Sequence, residues 1–210
     1  MPTSGARSAE TRERILATAA TEFAERGYAG TSIGDIAEKS DTGKGLVQYH
    51  FKAKSDLAVA IVQAAFSRAP FANVLDEVPL TGIAAIVASI RSVAGVFRDD
   101  VRVRAAVRLV REYELIPVTF PTPYLGWMAK MAHLLHQATE EGEIAPGLDY
   151  EREGWHLVAT FNGVQETSHR LTGRDDLPER IEEMLARALP LVGVVDVDRY
   201  LNSRALDIRV

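Results

Sequence analysis

One stretch narrows the possible folds more than any other: TSIGDIAEKSDTGKGLVQYHFKAK, residues 31–54. Ser32 stands three residues before Asp35, the spacing of a reciprocal cap at a helix start. Ile33, Ile36 and Ala37 then recur on one helical face. The pattern breaks at Ser40-Asp41-Thr42-Gly43, whose side chains bond their own backbone and favour a turn. A second short helix follows through Leu46, Val47, Tyr49 and His50, too short to persist without packing. Its outward face carries Lys44, Gln48, Tyr49 and His50, while Gly43 and Gly45 remove bulk where a close approach is needed. Helix, tight turn and a small helix with donors outward is the geometry that enters a DNA major groove.

Bulk charge does not support that geometry, so local placement must. Residues 1–56 hold eight Lys or Arg against eight Asp or Glu, and the whole net charge of -5 falls on the remainder. A DNA contact here rests on individual lysines rather than on a basic domain. The chain has 210 residues, enough for one substantial core or two small ones, with an ordinary charged fraction of 25%. It has no cysteine, which excludes disulfides and thiolate metal sites and suits a reducing cytoplasm. No apolar run approaches the roughly 20 residues of a membrane span, and the start lacks a signal core. The expectation is a soluble cytoplasmic protein with no membrane association.

Elsewhere the chain reads as helix after helix. Residues 8–26 form an apolar stripe through Ile15, Ala19 and Phe23, with Ser8 as cap and Gly27 as a left-handed stop. Residues 55–68 are apolar nearly all round, which predicts a helix buried between others, with Gln63 the odd polar group. Gln63 either bonds a nearby carbonyl or contacts a ligand, and both readings stay open. Pro70 and Pro79 bracket a plausible boundary between a small reading head and a larger body. A helix over 81–97 precedes one over 101–112, whose Arg104, Arg108 and Arg111 make a solvated or head-facing stripe with Arg108 near Glu112.

Prolines 117, 121 and 123 predict a rigid bend, and a helix over 124–141 follows with Trp127 and Met131 inward. Asp149 caps a helix ending near Leu171. Asp176-Leu177-Pro178-Glu179 reads as a capping box with proline in the first turn. Ile181, Met184, Leu185, Ala188 and Leu189 then make an amphipathic stripe. One short helix is expected after Asp196, and only 194–197 alternates as a strand would. The predicted class is all-α, with a helix-turn-helix head over 1–56, a linking helix at about 55–69, and a ligand-binding and dimerising body over 57–210.

Gly27-Tyr28, Thr31-Ser32-Ile33 with Ile36-Ala37, Lys44-Gly45-Leu46, His50-Phe51 and Lys54 with Leu57 resemble, at fixed spacing, the amino-terminal domain of TetR-type transcriptional repressors. The chain departs from that pattern at Asp41-Thr42, where Gly-Val is usual, and at Gln48, where tyrosine is usual and Tyr49 follows one residue later. The resemblance implies a homodimer on a pseudo-palindromic double-stranded DNA operator. It implies DNA contacts at Ser32, Thr42, Lys44, Gln48, Tyr49, His50 and Lys54, with the lysines acting by charge and Tyr49 and His50 anchoring phosphate.

Residues 104–109, Gly126-Trp127, 161–165 and 171–174 with Asp176-Leu177-Pro178 narrow the resemblance to the gamma-butyrolactone receptor branch. That branch implies a small, mostly apolar signalling lactone or butenolide that releases the protein from DNA, and no cofactor. A tryptophan at the place of Trp127 marks the ligand pocket of such receptors. Gln63 and Thr160 are its expected polar anchors, with Asn162, Phe66, Val107 and Met131 around it. Residues 149–171 and 176–190 are expected to pair with their copies as a four-helix bundle. The interface would use Phe161, Gln165, Ile181, Met184, Leu185, Ala188 and Leu189, although the apolar members of the second helix could instead face the chain's own core.

Competing motifs carry less. Gly30-Thr31-Ser32-Ile33-Gly34 matches the nucleophile-elbow pattern, but a helix tail precedes it and Ser32 already caps. Gly43-Lys44-Gly45 lacks the spacing of a phosphate loop. His133 and His136 share a helix face without the further ligands zinc requires. A helical enzyme would need paired catalytic groups that the sequence does not present, and a ligand-independent DNA-binding dimer is the remaining alternative.

Overall fold

The computed structural model of the chain describes residues 4–67, 80–118 and 123–202. Within them run α1 (Ser4–Arg26), α2 (Ile33–Lys39), α3 (Lys44–His50), α4 (Lys54–Phe66), α5 (Gly82–Asp99), α6 (Val101–Arg111), α7 (Pro123–Glu140), α8 (Tyr150–Thr172), α9 (Leu177–Leu191) and α10 (Asp198–Leu201). A 3-10 turn spans Tyr113–Leu115. No strand occurs among the described residues; the alternation at 194–197 instead follows a backbone bond from Val194 N–H to Leu189 O that closes α9. The connection between Pro70 and Pro79, most of the bend before α7, and the tail beyond 202 lie outside the described residues.

Packing divides the chain into two compact units: Met1–Ser67 with Asp100–Pro121, and Arg68–Asp99 with Thr122–Val210. In the first, α1 packs on α2, α3, α4 and α6, and α6 packs also on α4. So α6, distant in sequence, folds with the amino-terminal helices. Ile15, Phe23, Ile36, Val47, Leu57 and Ile61 are fully buried in this unit. α1 starts a turn before Ser8, which sits exposed within it. Gly27 ends α1 at φ +71°, a left-handed value that glycine adopts without strain. α4 is amphipathic rather than buried all round: Leu57, Ala58, Ile61, Val62 and Ala65 point inward, and Gln63 is exposed. The expectation of a buried polar Gln63 therefore fails, because the small residues around it tolerate water as readily as burial.

In the second unit α7 runs along α8, α5 packs on α7, α8 and α9, α8 packs on α9, and α10 closes on α5 and α9. A Cβ at Gly154 would stand 2.7 Å from Met128 O and 2.9 Å from Ala132 N, so only glycine lets α7 and α8 approach so closely. Phe97, Phe161 and Trp127 form edge-on contacts at 5.4 and 4.9 Å between ring centres. Glu143 ties two ends together, accepting from Ile83 N–H at 2.8 Å and from the Tyr200 hydroxyl at 2.8 Å. The capping box expected at Asp176 does not form. Its carboxylate accepts instead from Ser168 Oγ and Thr172 Oγ1, both at 2.6 Å, and from Arg180 Nε at 2.9 Å. Those donors hold it well below the usual carboxylate range. Among the described residues no helix is long and apolar enough to cross a membrane.

Candidate nucleic-acid interface

The reciprocal cap expected ahead of the turn is present. Ser32 Oγ accepts from Asp35 N–H at 3.1 Å while Asp35 Oδ2 accepts from Ser32 N–H at 2.9 Å, which starts α2. α2 ends at Lys39, and Asp41 turns the chain with φ +51°, a conformation aspartate tolerates better than most residues. Thr42 is half-buried, its Oγ1 2.8 Å from Ser40 Oγ, so it braces the turn from inside. α3 then enters with Gly43 at its cap position and no side-chain cap.

Val47 alone is buried on α3, and everything opposite it faces out. Lys44, Gln48 and Tyr49 are exposed, Tyr49 to 69%, and His50 is half-buried with its ring edge-on to Tyr49 at 5.2 Å. An added Cβ at Gly34 would lie 3.0 Å from Lys44 Cε, so that glycine makes room for the lysine stem. Leu46 is 43% exposed beside these groups. Leu46 was not in the outward set expected from sequence, yet one residue from buried Val47 the helical turn of about 100° carries it outward. An outward apolar side chain has the chemistry to meet a thymine methyl, and outward polar groups that to meet base edges and phosphates.

Lys54 behaves differently from the expectation of a phosphate contact. Its Nζ donates to Tyr28 O at 2.7 Å and to Thr31 O at 2.9 Å, and lies 4.0 Å from the centre of the Tyr28 ring. Burial pushes its ammonium below the usual lysine range, against the opposing pull of Glu112. Lys54 thus pins the corner between α1 and α2 from the start of α4. That corner is also held internally, by Thr31 Oγ1 donating to Gly27 O at 2.9 Å.

The expected ligand residues fall in both units. Trp127 and Met131 are buried on α7, and Trp127 Nε1 donates to Ser89 Oγ at 3.3 Å, a partner the sequence reading missed. A buried serine in the largely apolar first half of α5 was the signal available. Asn162 is half-buried and donates to Val158 O within its own helix, whereas Thr160 is exposed. Gln63 is exposed, Phe66 half-buried and Val107 buried, all in the first unit.

The residues expected at a dimer interface also need correction. Phe161, Gln165, Ile181, Met184, Leu185 and Leu189 are buried within the single chain, and Ala188 is half-buried. Gln165 Oε1 accepts from the buried Arg174 at 3.3 Å from Nε and 3.1 Å from Nη2. Ile181, Leu185 and Leu189 of the α9 stripe face their own unit's core. α8 and α9 also bound an outward groove of about 670 Å³, lined by Thr160, Val164, Leu171, Leu191 and, from the expected interface set, Met184 and Ala188. Leu171 and Leu191 there are 78% and 80% exposed.

A family model described as bacterial regulatory proteins of the tetR family matches residues 15–61. The A-factor receptor protein of Streptomyces griseus is 29% identical over 187 residues, covering 89% of this chain; the chain spans only 65% of that relative's length. Among solved structures, the full-length TetR regulator TylP of Streptomyces fradiae is 31% identical with a TM-score of 0.70, covering 94% of each chain. A gamma-butyrolactone receptor described as ArpA-like is 26% identical with a TM-score of 0.78, covering 93% of this chain and 95% of that one.

Proposed function

Since the chain belongs to the TetR family of bacterial regulatory proteins, on its gamma-butyrolactone receptor branch, we propose that it represses transcription by binding a pseudo-palindromic operator as a homodimer. A small, mostly apolar lactone or butenolide then releases it. The observation that carries the reading is the outward face of α3, where Lys44, Leu46, Gln48 and Tyr49 stand exposed around a single buried anchor, Val47. Lys44 supplies charge, Tyr49 and His50 bind phosphate, and Gln48 and Leu46 read base edges. The unit of residues 1–67 and 100–121, wider than the expected head of 1–56, acts as the reading head, and the other unit senses and pairs.

Pairing uses the outward groove of α8 and α9. A second copy there covers Leu171, Leu191 and Val164, in keeping with the self-complementary contact of a two-fold dimer. The ligand is sensed beside Trp127 and Met131, with the indole N–H and the Ser89 hydroxyl as polar groups in an apolar, aromatic wall. Release requires the ligand to bind the DNA-free arrangement more tightly than the DNA-bound one.

The test begins with a duplex selected from a randomised pool by the protein. Light scattering of the complex reports stoichiometry, and gel shifts with added gamma-butyrolactones and butenolides report release. The expected result is two chains per selected duplex, with half-sites about one turn (~10 bp) apart or somewhat more, and dissociation by one of these neutral lactones. Selection of no sequence would remove the DNA reading. Tight binding unaffected by any lactone or butenolide would leave a ligand-independent DNA-binding dimer.

A further inference from the structure

We infer that the last turn of α6 belongs to the DNA-recognition machinery, with Glu112, steadied by Arg108, as a positioning residue that holds the corner from which α2 and α3 are presented. This rests on the DNA-binding reading above. Both residues lie some fifty positions beyond the matched segment 15–61, and the sequence pattern gave only an arginine stripe with Arg108 near Glu112, without the backbone groups they hold.

The geometry is a two-sided clamp. Arg108 Nη1 donates to Ala24 O at 3.1 Å and Glu25 O at 3.0 Å, supplying donors to carbonyls that the end of α1 leaves without helical partners. Arg108 Nε donates at 2.9 Å to Glu112 Oε1, and Glu112 Oε2 accepts from Tyr28 N–H at 2.6 Å. One ion pair therefore grips both sides of Gly27. The fit leaves no slack, since a Cβ on Gly27 would stand 2.5 Å from Glu112 Oε1 and 2.8 Å from Arg108 Nη2. From the other side Lys54 holds the carbonyls of Tyr28 and Thr31. The next residue, Ser32, is already the cap of α2.

The corner is thus fixed between the start of α4 and the end of α6. Any rotation of α2 and α3 against α1 has to break charge-assisted bonds at residues 24–31. A surface ion pair is worth little for stability, but this one is spent on a backbone N–H and two backbone carbonyls. Orientation, rather than bulk stability, is what such bonds specify. Lys54 and Arg108 are the cations facing Glu112 here, and each is committed to a backbone oxygen as well.

The experiment compares the wild type with Glu112→Ala and Glu112→Gln in the full-length protein. Three quantities are read: affinity for the duplex selected by the wild type, affinity for an unrelated duplex, and amide hydrogen exchange without DNA. The expected result for Glu112→Ala is a loss of about tenfold for the selected duplex, the size of one charge-assisted hydrogen bond. Binding to the unrelated duplex stays unchanged. Exchange rises at Tyr28 and across α2 and α3 but not in α7 or α8. Glu112→Gln keeps the packing and shows a smaller loss in the same direction, which serves if the alanine variant fails to fold.

A folded variant with unchanged preference for the selected duplex would overturn the inference. So would parallel losses on both duplexes with faster exchange throughout α1, α4 and α6, which is plain loss of stability. If the wild type prefers no duplex, the proposed function fails instead, and the exchange pattern still decides whether Glu112 holds the corner.

Discussion

Replacing Lys54 by methionine separates a structural pin from a phosphate contact. Methionine keeps most of the aliphatic stem and removes the ammonium. Two bonds from a charged donor disappear, to Tyr28 O at 2.7 Å and Thr31 O at 2.9 Å, together with the cation held 4.0 Å from the Tyr28 ring centre. Bonds to charged groups contribute about 1.5–3 kcal/mol each, and an exposed cation–ring contact about 0.5–1 kcal/mol. Tyr28 and Thr31 are buried but Lys54 is half-buried and both bonds are partly open to solvent, so water reaching the freed carbonyls lowers the sum to about 2–3 kcal/mol. In a chain of this length that is a fall of about 4–12 °C in Tm. Urea melts measure the stability, and gel shifts between about 50 and 200 mM salt measure the slope of affinity against salt. The expected outcome is a clear loss of stability with the salt slope unchanged. A slope reduced by about one per subunit, with an unmoved urea midpoint, would refute the structural assignment and return Lys54 to the phosphate contacts.

Three other substitutions test other parts of the structure. Leu191→Arg, on a side chain 80% exposed in the single chain, is expected to give a folded monomer, whereas Leu185→Arg, at 0%, should unfold the protein at a cost of about 4 kcal/mol or more; light scattering and thermal melts read both. Tyr200→Phe removes the hydroxyl bound to Glu143. Burial first, and then that carboxylate, push the Tyr200 phenol from 10.0 up to about 12, so the folded state keeps its proton longer than the unfolded chain. The stability difference between wild type and Tyr200→Phe should therefore be constant below pH 10 and shrink between 10 and about 12, and urea melts showing it grow over that range would sink the account. Ser92→Ala removes a hydroxyl that is 4% exposed and has no hydrogen-bond partner among the described residues; a gain of about 1 kcal/mol is expected, and a loss of that size would reveal a partner.

What the sequence determined by itself was local. The cap at Ser32 and Asp35, the cap of α8 at Asp149 and the left-handed stop at Gly27 join groups a few residues apart, so spacing alone reveals them. The helix-turn-helix and the outward set on α3 followed, because a single buried residue, Val47, orients so short a helix. Periodicity also marked the stripe of α9, but a stripe states only that a face is buried, not what covers it. The same Ile181 and Leu185 pattern serves a dimer contact or a private core, and packing of α9 against α5 and α8 chose the core.

Capping chemistry failed at Asp176 for a related reason. The residues were right for a box, but hydroxyls of the preceding helix reached the carboxylate first. Long side chains were the least legible of all. The Lys54 ammonium found carbonyls 26 and 23 residues back, and Glu112 found an amide 84 residues away. A flexible charged chain bonds whichever buried polar group the fold brings within reach, and that group is set by tertiary packing.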